Sequence, residues 1–284
     1  IEAMIKDDTI AIRAVPNPLK LNYRVMAVIA LGVELSRLDE VCEKLVDIPN
    51  ISYVSVMFGK FDVILFAEYR DFETLFKLVR EQMPSIKGIR EIDTFIIADC
   101  KKGYMRSFKQ DSLSDKSISF DEIDEKLINE LRIDGRATYI SLANKLGISS
   151  ATISRRISSL VKNHAIQITV VANPTKLGHH VTCFLGMQVE LTKINEICAK
   201  LSTYTHIPLV ITLMNGYHIL AAVTHINLRA LLKFITSEIS RIDGILNIET
   251  LVRGEFKKRT YLGFDLKDAL FHPDDLFGSD NQDA

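Results

Sequence analysis

Between residues 149 and 162 the chain gathers side chains suited to reading nucleic acid: Ser149, Ser150, Ala151, Thr152, Ser154, Arg155, Arg156, Ser158 and Lys162. At helical spacing Ile153, Ile157 and Leu160 form one apolar stripe, and Ala151, Ser154, Arg155, Ser158 and Lys162 fall on the opposite side. Such a stripe ordinarily faces a core. The opposite face departs from the ordinary, because small hydroxyl residues and an arginine stand where a solvated helix carries mixed Glu and Lys. A face of this kind can enter a major groove. Ser150 and Ala151, near the helix start, suit first contacts to base edges, and Ser154 and Arg155 lie one turn on. Arg136, Thr152, Arg156 and Lys162 suit phosphate contacts, and Ser149 suits an N-cap. The net charge of -1 conceals a segregation that supports this: from Gly135 through Val189 there is no Asp or Glu, while Arg136, Lys145, Arg155, Arg156, Lys162 and Lys176 all fall there.

Other chemistry is sparse. The four cysteines, Cys42, Cys100, Cys183 and Cys198, form no CxxC pair, and none stands at metal-ligand spacing from a histidine. Reduced thiols and a cytoplasmic protein are expected, with no metal and no cofactor. Of the seven histidines, His179, His180 and His218 are the ones worth weighing as ligands, and an exposed histidine is ordinarily just solvated. No paired carboxylates or nucleophile-triad spacing supports catalysis around them, so no catalytic residue is assigned and no enzyme is expected.

The nucleic-acid residues need a scaffold, and the sequence supplies a compact helical one. From Phe120, Ile123, Leu127, Ile128 and Leu131 recur at helical spacing, with Asp121, Glu122, Asp124 and Glu125 favouring the positive helix start. Asp134-Gly135 ends that helix. A short helix follows from about Ile140 to Leu146, Gly147 makes a turn, and the helix bearing Arg155 begins after Ser149. The spacing Ala143, Gly147, Ile153 lets two helices cross steeply over a tight turn, as in a helix-turn-helix.

The chain is also duplicated. An offset of 156 residues aligns positions 1 to about 104 with 157 to about 260 without a gap, about a quarter of them identical. Asn17-Pro18 pairs with Asn173-Pro174, Val33-Glu34-Leu35 with Val189-Glu190-Leu191, and Cys42 with Cys198. Each copy reads strand, helix, hairpin, helix, strand. In the first, the strand is Val25 to Glu34 and the helix carries Leu38, Val41, Cys42 and Leu45. The hairpin is Tyr53 to Phe58 with Asp62 to Ala67, the second helix runs from Phe72 to about Met83, and the last strand from Ile89 to Ile97. This is the ferredoxin-like βαββαβ order, which leaves one sheet face needing a cover. Each copy is preceded by a β-prone tether (Thr9 to Val15, Ala165 to Val171). Ile1 aligns inside the helix-turn-helix, which predicts a further module of about 40 residues upstream.

The predicted fold class is therefore α+β: two ferredoxin-like domains flanking a three-helix, winged-type helix-turn-helix. The expected bounds are 1–22 tether strand, 23–100 first domain, 101–119 linker, 120–165 DNA-binding domain, 166–178 tether strand, 179–264 second domain and 265–284 an acidic disordered tail. No apolar run approaches the roughly 20 residues of a membrane span.

The run FDEIDEKLINELRIDGRATYISLANKLGISSATISRRISSLVKNHAI, the following NPTKLG and the βαββαβ unit closely resemble the Lrp/AsnC family of transcriptional regulators over residues 120 to about 260. The first repeat resembles a second effector-binding (RAM) domain of that family. The resemblance implies sheet-to-sheet dimers, further homo-oligomers, palindromic double-stranded DNA sites, and an amino acid or similar small-molecule effector bound between RAM domains. It also implies that a hairpin Gly-x-x-Asp lies near the effector. Gly59-Lys60-Phe61-Asp62 matches; the aligned Asn215-Gly216-Tyr217-His218 does not, so His218 is expected not to fill the role of Asp62. Gly59 and Gly216 can equally be no more than hairpin glycines. Two alternatives stand beside the regulator: a sirohaem-decarboxylase-like enzyme on the same scaffold, and a metabolite-binding RAM array without DNA binding.

Overall fold

The computed structural model describes residues 2–7, 9–18, 20–48, 50–103, 120–172 and 176–259. The acidic tail, Asn173-Pro174 and positions 104–119 of the expected linker lie outside them. A short helix α1 (Glu2–Lys6) and a strand β1 (Ile10–Pro16) come first. The first unit is β2 (Val25–Val33), α2 (Leu38–Val46), β3 (Ile51–Phe58), β4 (Val63–Tyr69), α3 (Phe72–Lys77) and β5 (Ile89–Lys102). Three helices follow, α4 (Glu122–Ile133), α5 (Tyr139–Leu146) and α6 (Ser150–Lys162), then β6 (Ile166–Ala172). The second unit is β7 (Val181–Val189), α7 (Ile194–Thr203), β8 (Leu209–Leu213), β9 (Ile219–His225), α8 (Leu228–Ser237) and β10 (Ile245–Arg259).

The apolar run of β2 is continuous because both of its faces are buried. Val25, Ala27, Ile29, Leu31 and Val33 point to the helices, where Val41, Cys42 and Leu45 of α2 meet them. Val28 and Ala30 point the other way. There they join Phe61 and Phe95 of their own unit with Phe184, Tyr217, Leu220 and Leu251 of the second. The second unit repeats the division, with Cys183, Leu185 and Met187 set against Ile197, Cys198 and Leu201.

The two sheets close into one eight-stranded barrel in the order β10-β3-β4-β2-β5-β8-β9-β7. Two long strands do the joining. β5 pairs with β2 of its own unit and then with β8 of the other, Ile97 opposite Leu213 and Lys102 opposite Val210. β10 pairs with β7 and then with β3, Val252 opposite Phe58. Lys101 and Lys102 are therefore strand rather than the start of a linker, because the second unit offers an open edge that their backbone groups satisfy. The predicted helix from Phe72 to Met83 is interrupted: α3 passes into a π turn at Leu78–Gln82 and a 3₁₀ turn at Met83–Ser85 that contains Pro84.

The two tethers pair with each other, antiparallel, from Ile10 opposite Ala172 to Pro16 opposite Ile166. A local hairpin wing is thus replaced by a sheet whose strands come from far apart in the chain. β1 is seated on the helical module: Ala14 is buried among Leu127, Leu131, Leu142 and Ile153, and Gly135 N–H donates to Ile12 O at 2.9 Å. No helix of the described residues is long and apolar enough to cross a membrane.

Candidate nucleic-acid interface and hairpin sites

Each helix of the central module starts on its own cap. Asp121 caps α4 in a reciprocal box with Asp124, Thr138 caps α5, and Ser149 Oγ accepts from Thr152 N at 3.1 Å to cap α6. Gly147 turns the chain between α5 and α6 at φ 69°, a left-handed conformation that glycine adopts without penalty. Ile153, Ile157 and Leu160 are buried, which fixes the rotation of α6. Ser150, Ala151, Arg155, Ser158 and Lys162 are exposed on the other side, with Thr152 and Ser154 half-buried. Arg155 and Lys162 form no ion pair among the described residues.

Arg156 is differently placed. Its Nη1 lies 2.8 Å from Asp124 Oδ1 and its Nη2 2.9 Å from Asp121 Oδ2, so the guanidinium clamps α6 to the start of α4. The Asp124 N–H and then Arg156 hold the Asp121 carboxyl below its usual range. Lys145 is likewise engaged, 2.6 Å from Glu130. Arg136 is exposed beside the module.

The two hairpins dock reciprocally across the barrel. Gly59 sits against Leu251 of β10, where a Cβ would come within 3.0 Å of its side chain. Gly216 sits against Phe95 of β5, where a Cβ would come within 2.4 Å of the ring. Asn215 fixes this second contact, accepting from Ile96 N at 3.0 Å and donating to Thr94 O at 2.8 Å. Lys60 remains exposed over the ring of Phe61, while Phe61 and Tyr217 are buried in the shared core. Asp62 Oδ2 accepts from Val33 N at 2.7 Å. His218 Nδ1 lies 3.0 Å from Val189 N, the equivalent group. His218 Nδ1 lies 3.0 Å from Val189 O as well, so the tautomer sets whether it accepts from the Val189 N–H, as Asp62 does from Val33, or donates to the carbonyl.

His179 joins a cluster that sequence reading did not foresee. His206 stands between it and His225, with ring centroids 5.6 Å and 4.4 Å away. Burial and the neighbouring imidazoles lower the pKa of His179 and His206, and burial with the charge of His179 lowers that of His225. The three meet only through loops and a strand end, so no spacing in the sequence announces them. The alignment offset holds the signal: the first unit has Tyr23, Asn50 and Tyr69 at these places. Among the described residues no group of three or more His, Cys, Asp or Glu side chains is arranged to hold a metal ion.

Residues 120–161 match the family model of the AsnC-type helix-turn-helix domain, and residues 26–107 that of the Lrp/AsnC ligand binding domain. An uncharacterised HTH-type transcriptional regulator of Pyrococcus horikoshii is 26% identical over 147 residues, 51% of this chain and 93% of its own. The regulatory protein AsnC of Haemophilus influenzae is 28% identical over 136 residues, 47% of this chain and 91% of its own. Among solved structures, the siroheme decarboxylase NirDL matches with a TM-score of 0.67 and 13% identity, over 93% of this chain and 82% of that one, a likeness of fold. Residues 120–161 are thus similar to the AsnC-type helix-turn-helix domain and residues 26–107 to the Lrp/AsnC ligand binding domain, and the relatives that match about half of the chain are named as HTH-type transcriptional regulators and a regulatory protein AsnC.

Proposed function

We propose that the chain is a sequence-specific DNA-binding transcriptional regulator of Lrp/AsnC type, modulated by an amino acid or similar small metabolite. In this reading the two sheet units are tandem RAM domains flanking a helix-turn-helix, and the protein works in the cytoplasm on a palindromic operator. The observation that carries it is the exposed face of α6, where Ser150, Ala151, Arg155, Ser158 and Lys162 stand clear of any acid on a helix capped and seated by its neighbours. Small side chains there allow close approach to base edges, and the cations supply phosphate attraction.

Further assembly with other copies is supported by apolar side chains left exposed at matching places of both units: Leu35 and Leu191, Phe58 and Met214, Phe72 and Leu228, Phe76 and Leu232. Selection of bound DNA from a random library, with and without a panel of amino acids, tests the whole reading. Recovery of a two-fold symmetric sequence whose yield changes with an amino acid is the expected result; no enrichment at low salt would sink it.

A siroheme-decarboxylase-like enzyme is the second reading, suggested by the extent of the fold match to NirDL. A Soret band in the purified protein would favour it, and a colourless protein that selects DNA would not.

A further inference from the structure

The hairpins dock reciprocally but not identically. Phe61 follows the first turn, and the equivalent Tyr217 follows the second, carrying a hydroxyl into the shared core. Its ring lies against Gly186, where a Cβ would come within 2.9 Å of it, and 5.4 Å from the ring of Phe95. The hydroxyl is buried without a hydrogen-bond partner among the described residues, and Tyr217 as a whole is only 8% exposed. A buried polar atom left unpaired is costly and marks a place where a partner belongs.

Two carboxylates face the same core. Asp93 on β5 stands opposite Ala30, and Glu249 on β10 opposite Gly186. Two residues further along these strands, Phe95 and Leu251 are in the shared core, so strand alternation puts Asp93 and Glu249 on that face too. They occupy equivalent positions of the two units. Both are half-buried, and neither forms an ion pair among the described residues. Glu249 stands opposite the Gly186 on which the Tyr217 ring lies, and Asp93 is two residues from the Phe95 that flanks that ring; burial, then the charges of Glu249 and Asp93, push the Tyr217 phenol up to about 12.

We propose that Asp93, Glu249 and Tyr217 form a binding site for the primary ammonium group of a small molecule. This rests on the ligand-responsive half of the reading above and gives its ligand a chemical class. An ammonium carries three N–H donors and no acceptor, and the site offers three acceptors, two carboxylates and one phenol oxygen. The flanking rings of Tyr217 and Phe95 attract the same charge through their faces. Phe61 brings no hydroxyl to the other hairpin, so the duplicated chain has one such site rather than two.

The test uses the full chain and a panel of amino acids and simple alkylamines, each paired with its N-acetyl counterpart, at about 10 mM. The chain has eight tyrosines and no tryptophan, so tyrosine difference absorbance reads the site directly. At least one amine is expected to perturb that signal and raise the melting temperature, its acetylated counterpart doing neither. Tyr217→Phe, a residue the first unit already accommodates at this place, is expected to abolish the absorbance change and weaken binding about tenfold, with Asp93→Asn and Glu249→Gln weakening it similarly. Equal binding by wild type and these variants, no response to any amine, or a response to calcium chloride in place of amines would overturn the proposal. DNA selection run on the same preparations keeps the outcomes apart: a chain that binds amines but selects no DNA refutes the regulator and leaves this site standing.

Discussion

Asp62 and His218, alike in position and unlike in chemistry, meet the same backbone group in the two units: the N–H of the last residue of the leading strand, Val33 and Val189. The surrounding ladder is the same as well. Asp62 N donates to Leu31 O and His218 N to Met187 O, both at 2.9 Å. The hairpin is thus pinned to the leading strand by whichever acceptor stands there, and the residue conventionally expected near an effector has a structural task first.

Removing that acceptor leaves a half-buried N–H unpaired. Asp62→Ala is expected to cost about 1.5–3 kcal/mol, the range for a hydrogen bond to a charged group, while His218→Asp, which copies the first unit, is expected to cost under about 1 kcal/mol. Urea unfolding checks both. Equal losses in the two variants would mean that the hydrogen bond is not what the position selects.

On α6 the substitutions should separate by kind. Arg155→Ala is expected to weaken specific DNA binding by about 1–3 kcal/mol and relax preference at one base position. Lys162→Ala should weaken all sequences alike and lower the salt slope by about one. Arg156→Ala should instead destabilise the module, since its guanidinium is held by Asp121 and Asp124. Binding curves at several salt concentrations, with a melting curve for each variant, distinguish the three; an unchanged selected sequence for Arg155→Ala would place another face of the helix in the groove.

What was legible in the sequence was what repeats locally. The apolar run from Val25, the turn at Asn215-Gly216, the acids at the start of α4 and the cap at Ser149 act over a few residues, and each is seen in the fold. The partners of Ala14, Lys102 and His206 were not legible, because each is supplied by a segment many residues away. Strand ends show the difference most plainly. Ile97 looked like the end of a strand because apolar residues stop there, yet β5 continues to Lys102 on backbone hydrogen bonds to the other unit, which leave no mark on side-chain pattern. Gly59-Lys60-Phe61-Asp62 is visible as a motif, but the burial of Phe61 and Tyr217 against the opposite unit depends on the docking of the hairpins.

The histidine cluster is expected to give the second unit a pH dependence of imidazole type, with no counterpart in the first unit, which has no histidine. His179, His206 and His225 all have pKa values lowered from the ordinary 6.5. Above that value neither the folded nor the unfolded chain protonates them; below it the unfolded chain takes up protons that the folded cluster refuses, so stability is lost as pH falls through the lowered values. Urea midpoints are expected to drop between about pH 7 and 5, in the window where imidazoles titrate. The triple variant His179→Tyr, His206→Asn, His225→Tyr, which installs the residues of the first unit, should flatten that slope. A slope unchanged in the triple variant would assign it to other groups.

The last prediction concerns the barrel seam, where Gly216 and Phe95 meet. Gly216 has φ 70°, and a Cβ there would lie 2.4 Å from the Phe95 ring. Gly216→Ala therefore meets two obstacles, a left-handed backbone that alanine adopts at a cost of about 1 kcal/mol and a ring it cannot overlap. The equivalent of Phe95 in the second unit is Leu251, smaller and more adaptable, and it faces Gly59 at the gentler distance of 3.0 Å. If the clash with the ring dominates, Gly216→Ala should destabilise by about 2–4 kcal/mol, and adding Phe95→Leu should recover part of that loss even though Phe95→Leu alone removes buried area. A double-mutant cycle from urea unfolding measures the coupling, expected to be at least about 1 kcal/mol in favour of the pair. Strict additivity would show that the seam does not depend on this contact. The hairpin would then have to be held by Asn215 alone, through its two hydrogen bonds to the backbone of β5.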